Sequence, residues 1–166
     1  MVRRSSGRPD WAPAAGAEPA PADQIVRLRG HHLLCLLTYV GRGYTAEFVA
    51  NFDLLATALS DGVRRIRIVD GPDDICRPVE NCPDSHCHEP RVKRRDAAAL
   101  VDIGRILGCD LLPGADIELD RDRIARLRAA FAEGSARSAC QGCQWHRICS
   151  DVADSGFDGT RFCPGR

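Results

Sequence analysis

"RGHHLLCLLTYVGRG", residues Arg29 to Gly43, is the stretch around which the rest of the chain must be arranged. Its apolar positions run almost without a break from Leu33 to Val40. A surface helix would interrupt such a run with polar residues on one face, so the pattern predicts a short buried helix, stopped at Gly41. A stretch of eight residues is too short to span a bilayer. Other elements must therefore cover this helix, and the flanking sequence supplies them.

Downstream, "TAEFVANFDLLATALSDG" places Phe48, Phe52, Leu55 and Leu59 three to four residues apart. That spacing predicts an amphipathic helix with Thr45 as N-cap and Gly62 as its stop. "RIRIV" (Arg65 to Val69) alternates polar and β-branched residues and predicts a strand. "DGPDD" (Asp70 to Asp74) is turn chemistry. Two further helices are expected, over Arg91–Gly108 and over Asp120–Gly134 with Asp120 as N-cap. "LLPGADIEL" between them is a connection with room for a short strand. A short helical tail closes the chain. Upstream, residues 1–24 are half Pro, Ala and Gly, too poor in apolar surface to offset the entropy of ordering. They read as a disordered tail. The expected fold is a small single α+β domain, mainly α, over residues 25–166. It has four to five helices, one or two short strands and an irregular Cys-rich loop.

The formal net charge is zero, which gives no electrostatic reason to expect nucleic acid or a membrane as partner. The basic runs "RVKRR" and "RDRIARLR" read as solvated helix faces. No apolar leader precedes the domain, so a cytoplasmic location is expected. Thiols stay reduced there, and nine cysteines, an odd count, point to metal, redox chemistry or packing rather than to disulfides.

Two segments concentrate those cysteines. "CQGCQWHRIC" sets Cys140, Cys143 and Cys149 in a C-x2-C-x5-C spacing. A C-x2-C turn lets two sulfurs converge on one centre, and Gly142 permits it to be tight. Trp145 is placed to shield such a centre from solvent. The second segment, "ICRPVENCPDSHCHEP" (Ile75 to Pro90), has no periodicity. A loop of that length inside a compact domain calls for an organiser, and Cys76, Cys82 and Cys87 with His86 and His88 offer ligands for one. Cys76, directly after the turn, is the first choice for the fourth ligand beside the trio, followed by Cys82 or Cys87. A separate zinc site on Cys82, Cys87 and His88 is a further arrangement. In the apolar helix, His31 and His32 stand four and three residues before Cys35. Either could meet its thiol, as ligands or as a Cys–His nucleophile pair, or Cys35 could be a small core hydrophobe.

The trio and the texture around Gly142, Cys143, Trp145 and Cys149 resemble the start of the auxiliary-cluster motif of radical-SAM peptide maturases. Ala153 stands where that motif has its last Cys. Taken together, "RLRGHHLLCLLTYVGRGY", "IRIVDGPDDIC", "CPDSHCHEP" and "ACQGCQWHRIC" resemble a family of uncharacterised bacterial and archaeal proteins, a domain of unknown function suspected of binding an iron–sulfur cluster. The resemblance implies that same cofactor. The leading expectation is thus an iron–sulfur protein, with a four-iron cluster on Cys140, Cys143, Cys149 and Cys76, serving electron transfer or redox sensing for a protein partner. The alternatives are a structural zinc-binding interaction module and, behind it, a Cys/His-dependent enzyme.

Overall fold

The computed structural model describes residues 24–62 and 65–165. The expected tail, residues 1–24, lies outside the described residues apart from Gln24. The elements run β1 (Ile25–Leu28), α1 (Gly30–Thr38), α2 (Ala46–Asp61), β2 (Arg65–Ile68), α3 (Pro90–Leu107), β3 (Asp116–Ile117), α4 (Arg121–Ala132) and α5 (His146–Asp154), with a 3-10 turn over Ser138–Cys140. The fold is the small, mainly helical α+β domain that the patterning predicts.

The strand β1 is an addition to that expectation. Val26 and Leu28 point inward while Arg27 points out, a period-two pattern too short to stand out in sequence. β1 pairs in parallel with β2 in the register Val26↔Ile66 and Leu28↔Ile68, and β2 pairs antiparallel with β3 through Ile66↔Ile117. The parallel pair needs a crossover, which α1 and α2 provide.

The caps explain the helix limits. Thr45 accepts a hydrogen bond from the Phe48 N–H at 3.1 Å, and Asp120 accepts one from the Arg123 N–H at 2.8 Å. α1 is covered on every side, as its apolar run requires: Leu33, Leu34, Leu36 and Leu37 are all buried. Its chief neighbour is α3, and α4 and α5 also touch it.

The α1–α3 approach is close enough to demand a glycine. A Cβ built at Gly30 would lie 2.3 Å from the Asp96 carbonyl oxygen and 2.9 Å from Leu100 Cγ. Backbone cannot yield as a flexible side chain can, so Gly30→Ala is expected to cost about 1–3 kcal/mol. Urea unfolding checks this through a lowered midpoint with an unchanged slope.

The loop after β2 is a chain of turns rather than an irregular segment. Successive hydrogen bonds from Val79 to Cys76, Cys82 to Val79 and Ser85 to Cys82 fold it back on itself. It is also tied to β1 by carboxylates. Asp74 Oδ2 accepts the Arg27 N–H at 2.7 Å, and Asp73 Oδ2 accepts the Arg29 N–H at 2.8 Å. These two aspartates fix the start of the loop.

Candidate functional site: a four-thiol cluster beside two histidine–carboxylate pairs

The trio is held by α3. The Asp102 carboxylate accepts the Ser138 N–H at 3.0 Å and the Ser138 hydroxyl at 2.6 Å, fixing the turn that ends at Cys140. Arg95 Nε donates to the Ala139 carbonyl at 2.9 Å. Gly142 adopts φ 68°, a left-handed conformation that permits the tight turn in which the Cys143 N–H donates to the Cys140 carbonyl at 3.1 Å. Cys149 follows one helical turn into α5, where the Thr38 hydroxyl of α1 donates to its sulfur at 3.2 Å.

Cys35 lies on α1, one turn before Thr38, lines the same cleft as Cys149, and interacts electrostatically with Cys149, Cys143 and Cys140. Burial pushes the Cys35 thiol far up, and the three neighbouring sulfurs push it further. Burial raises Cys140 and Cys149 as well. Arg137 and Arg95 oppose those shifts on both residues. Burial thus disfavours free thiolates at Cys35, Cys140 and Cys149, and guanidinium groups oppose that shift. Among the described residues, no three of these sulfurs lie mutually within 4.8 Å.

Cys76, the first choice for the fourth ligand on spacing, sits elsewhere. It is 3% exposed, beside Asp73, Arg29 and Cys87. Spacing along the chain could not show that α1, passing between α3 and α5, puts Cys35 next to the trio. Nor does the structure draw Cys82, Cys87 and His88 into one site. Cys82 is exposed with its sulfur toward the Pro78 carbonyl, and the exposed His88 faces Glu80. His86 pairs with Glu89 at 2.7 Å.

The two histidines at the head of α1 are built in, not surface caps. His31 Nδ1 meets Asp96 Oδ1 at 2.6 Å, and His32 Nδ1 meets Asp73 Oδ2 at 2.7 Å. Their rings are 4.3 Å apart, centre to centre. Arg29, 1% exposed, completes the network: its Nε donates to Asp96 Oδ2 at 2.9 Å and its Nη1 to the Cys87 carbonyl at 2.9 Å. Burial lowers His31 to about 4, and the adjacent His32 adds to this, so His31 is neutral at pH 7. Burial alone would raise Asp96, but hydrogen bonds from His31 and Arg29 hold it at about 2. Asp73 is likewise held low against its burial, by His32 and the backbone N–H groups of Arg29 and Cys76. Sequence reading missed all three charged partners. Asp73 looked like a turn residue, and Asp96 and Arg29 gave no signal short of knowing which elements touch.

A Cys–His nucleophile pair is not assembled here. Both Nδ1 atoms go to carboxylates, no hydrogen bond among the described residues links either ring to Cys35, and burial keeps that thiol protonated. His31, His32, Cys35, Cys149, Tyr44 and Trp145 do line one cleft. Trp145 is half-buried there, edge-on to Tyr44 at 5.3 Å.

His32, Asp73 and Cys76 form a second ligand group. One donor atom from each lies within 4.8 Å of the other two, so these residues could hold a metal ion. No helix among the described residues is long and apolar enough to cross a membrane.

The model of one protein family matches residues 43–149, a span that takes in Cys76, Cys82, Cys87 and the C-x2-C-x5-C segment and begins after Cys35. No curated protein and no solved structure matches the chain. With more than half of its residues inside that match, the chain belongs to the family described as protein of unknown function, DUF1284.

Proposed function

We propose that this is an iron–sulfur protein that binds one four-iron cluster through Cys35, Cys140, Cys143 and Cys149 and carries or senses electrons for a protein partner. Cys35 takes the fourth place that spacing alone gave to Cys76. The observation that carries the reading is the electrostatic interaction of Cys35 with the three thiols of the C-x2-C-x5-C segment, beside the Thr38–Cys149 hydrogen bond that ties α1 to α5.

The C-x2-C-x5-C spacing supports a cluster over a single ion, because it resembles the start of a motif that binds iron–sulfur clusters. A metal centre on four thiolates is a net anion, and the Arg95 and Arg137 guanidinium groups favour negative charge at Cys140 and Cys149. The hydrogen bond from Thr38 to Cys149 is of the kind that tunes a cluster's potential.

Anaerobic purification tests this, with iron, acid-labile sulfide and zinc quantified on one sample and the visible spectrum recorded. A brown protein with matched iron and sulfide is expected. A colourless protein with zinc bound by four sulfurs contradicts the cluster and leaves a structural zinc module.

Trp145 gives a second, smaller test. It flanks the cleft that reaches Cys35 and Cys149, so Trp145→Ala widens the approach of oxygen to the cluster. Bleaching of the visible absorbance in air is expected to run several-fold faster than in the parent protein.

A further inference from the structure

We propose that the chain holds a second metal centre, a single divalent ion of borderline softness such as zinc, on His32 Nδ1, a carboxylate oxygen of Asp73 and Cys76 Sγ. The proposal stands independently of what the four thiols hold.

Three observations converge on it. The first is geometric. The three donor atoms come from two separate elements, α1 and the loop after β2, and lie within 4.8 Å of one another. Among the described residues no other group of three does so. The second is the surroundings. His32, Asp73 and Cys76 are only 9%, 5% and 3% exposed, so this is an enclosed site rather than a patch of surface acids. Asp73 is fixed from behind: its Oδ1 accepts the N–H groups of Ile75 and Cys76, each at 3.0 Å, and its Oδ2 accepts the Arg29 N–H at 2.8 Å. Bonds of this kind orient a ligating carboxylate. The third is charge. Arg29 is ion-paired with Asp96 at 2.8 Å, so those two cancel. That leaves the buried Asp73 carboxylate with the His32 imidazole at 2.7 Å and backbone N–H groups as its partners. A divalent ion with one carboxylate, one thiolate and one neutral imidazole makes the cluster neutral.

The donor chemistry selects the ion. Imidazole, thiolate and carboxylate together suit zinc, whereas calcium and magnesium take oxygen donors. On binding, Cys76 gives up its thiol proton to solvent. His32 ligates as a neutral imidazole with its ring proton on Nε2 and its Nδ1 lone pair on the ion, so that binding releases protons. α1 then carries a ligand to each centre, His32 to the ion and Cys35, three residues later, to the thiol cluster.

The test is X-ray absorption at the zinc K-edge on the anaerobically purified full chain supplied with one equivalent of zinc, with iron counted on the same sample. The expected result is one zinc retained per chain against a weak chelator, with a single sulfur at about 2.3 Å and the remaining donors nitrogen or oxygen at about 2.0–2.2 Å. Cys76→Ser is expected to remove the sulfur shell and weaken zinc binding at least about tenfold. Far-UV circular dichroism reports whether that variant is folded, and His32→Gln gives a second loss that does not depend on the thiol. Failure to retain zinc overturns the proposal. So does a four-sulfur shell that survives Cys76→Ser, because it places the ion on the other thiols. The iron count reports separately on the cluster, so the two assignments fail by different readouts.

Discussion

Cys35→Ala is expected to strip the protein of its cluster, whereas Cys76→Ala is expected to leave it in place. The two residues compete for one role, and the structure separates them. Cys35 faces Cys149, Cys143 and Cys140 from the middle of α1. Cys76 faces Asp73, Arg29 and Cys87 at the start of the loop after β2. Substitution of a residue merely behind a ligand already costs about 10–100-fold in metal affinity, and loss of a ligand costs at least as much. Iron and sulfide in Cys35→Ala should therefore fall at least about tenfold below the parent, matching Cys143→Ala, while Cys76→Ala stays within about twofold. Iron lost from Cys76→Ala and kept in Cys35→Ala would reverse the assignment. Cys35 is a small side chain in an apolar run, so its removal leaves only a small void. A folded, colourless protein is the expected product.

Asp96→Ala is expected to be the most damaging single change to stability. Asp96 is the only carboxylate with which Arg29 is ion-paired among the described residues, and Arg29 is almost wholly buried. Removing it strands a guanidinium in the interior and also frees the Nδ1 of His31. Breaking a buried pair by deleting one partner costs about 3–5 kcal/mol. A domain has about 5–15 kcal/mol in total, so the variant should be barely folded at 37 °C. The pH profile adds a signature. Asp96 is held at about 2 against an ordinary 3.8, so its contribution is whole above that ordinary value and is lost as pH falls toward 2. His31 is lowered from 6.5 to about 4, so the unfolded chain takes up its proton first, and stability declines as pH falls from 6.5 to 4. Both groups make the protein weaker in acid. Urea midpoints measured from pH 7 downward should show the decline in two stages in the parent. In Asp96→Ala the lower stage should be absent.

The elements with local signatures were legible in the sequence. Phe48, Phe52, Leu55 and Leu59 marked α2, Thr45 and Asp120 marked two helix starts, and the apolar run marked α1 as the covered element. The C-x2-C-x5-C segment stands out for the same reason, since it is a local pattern carried on one turn and one helix. What escaped was non-local. Cys35 looks like core packing because it is core packing on most of its surface, and only the arrival of α5 from more than a hundred residues away gives it thiol neighbours. Asp73 and Asp96 carried ordinary turn and helix-face patterns. Their roles depend on β1 and α1 reaching them, and the short β1 itself left too weak a trace to be read. The loop from Ile75 to Pro90 lacks periodicity, so its order does not show in sequence; Asp74 and Asp73 help to hold it by accepting the N–H groups of Arg27 and Arg29.

The most direct measurement is anomalous diffraction at the iron edge from crystals grown anaerobically. A peak enclosed by the sulfurs of Cys35, Cys140, Cys143 and Cys149, with no iron beside Cys76, is the result this account predicts. Iron bound beside Cys76, or four thiols enclosing zinc alone, would contradict it.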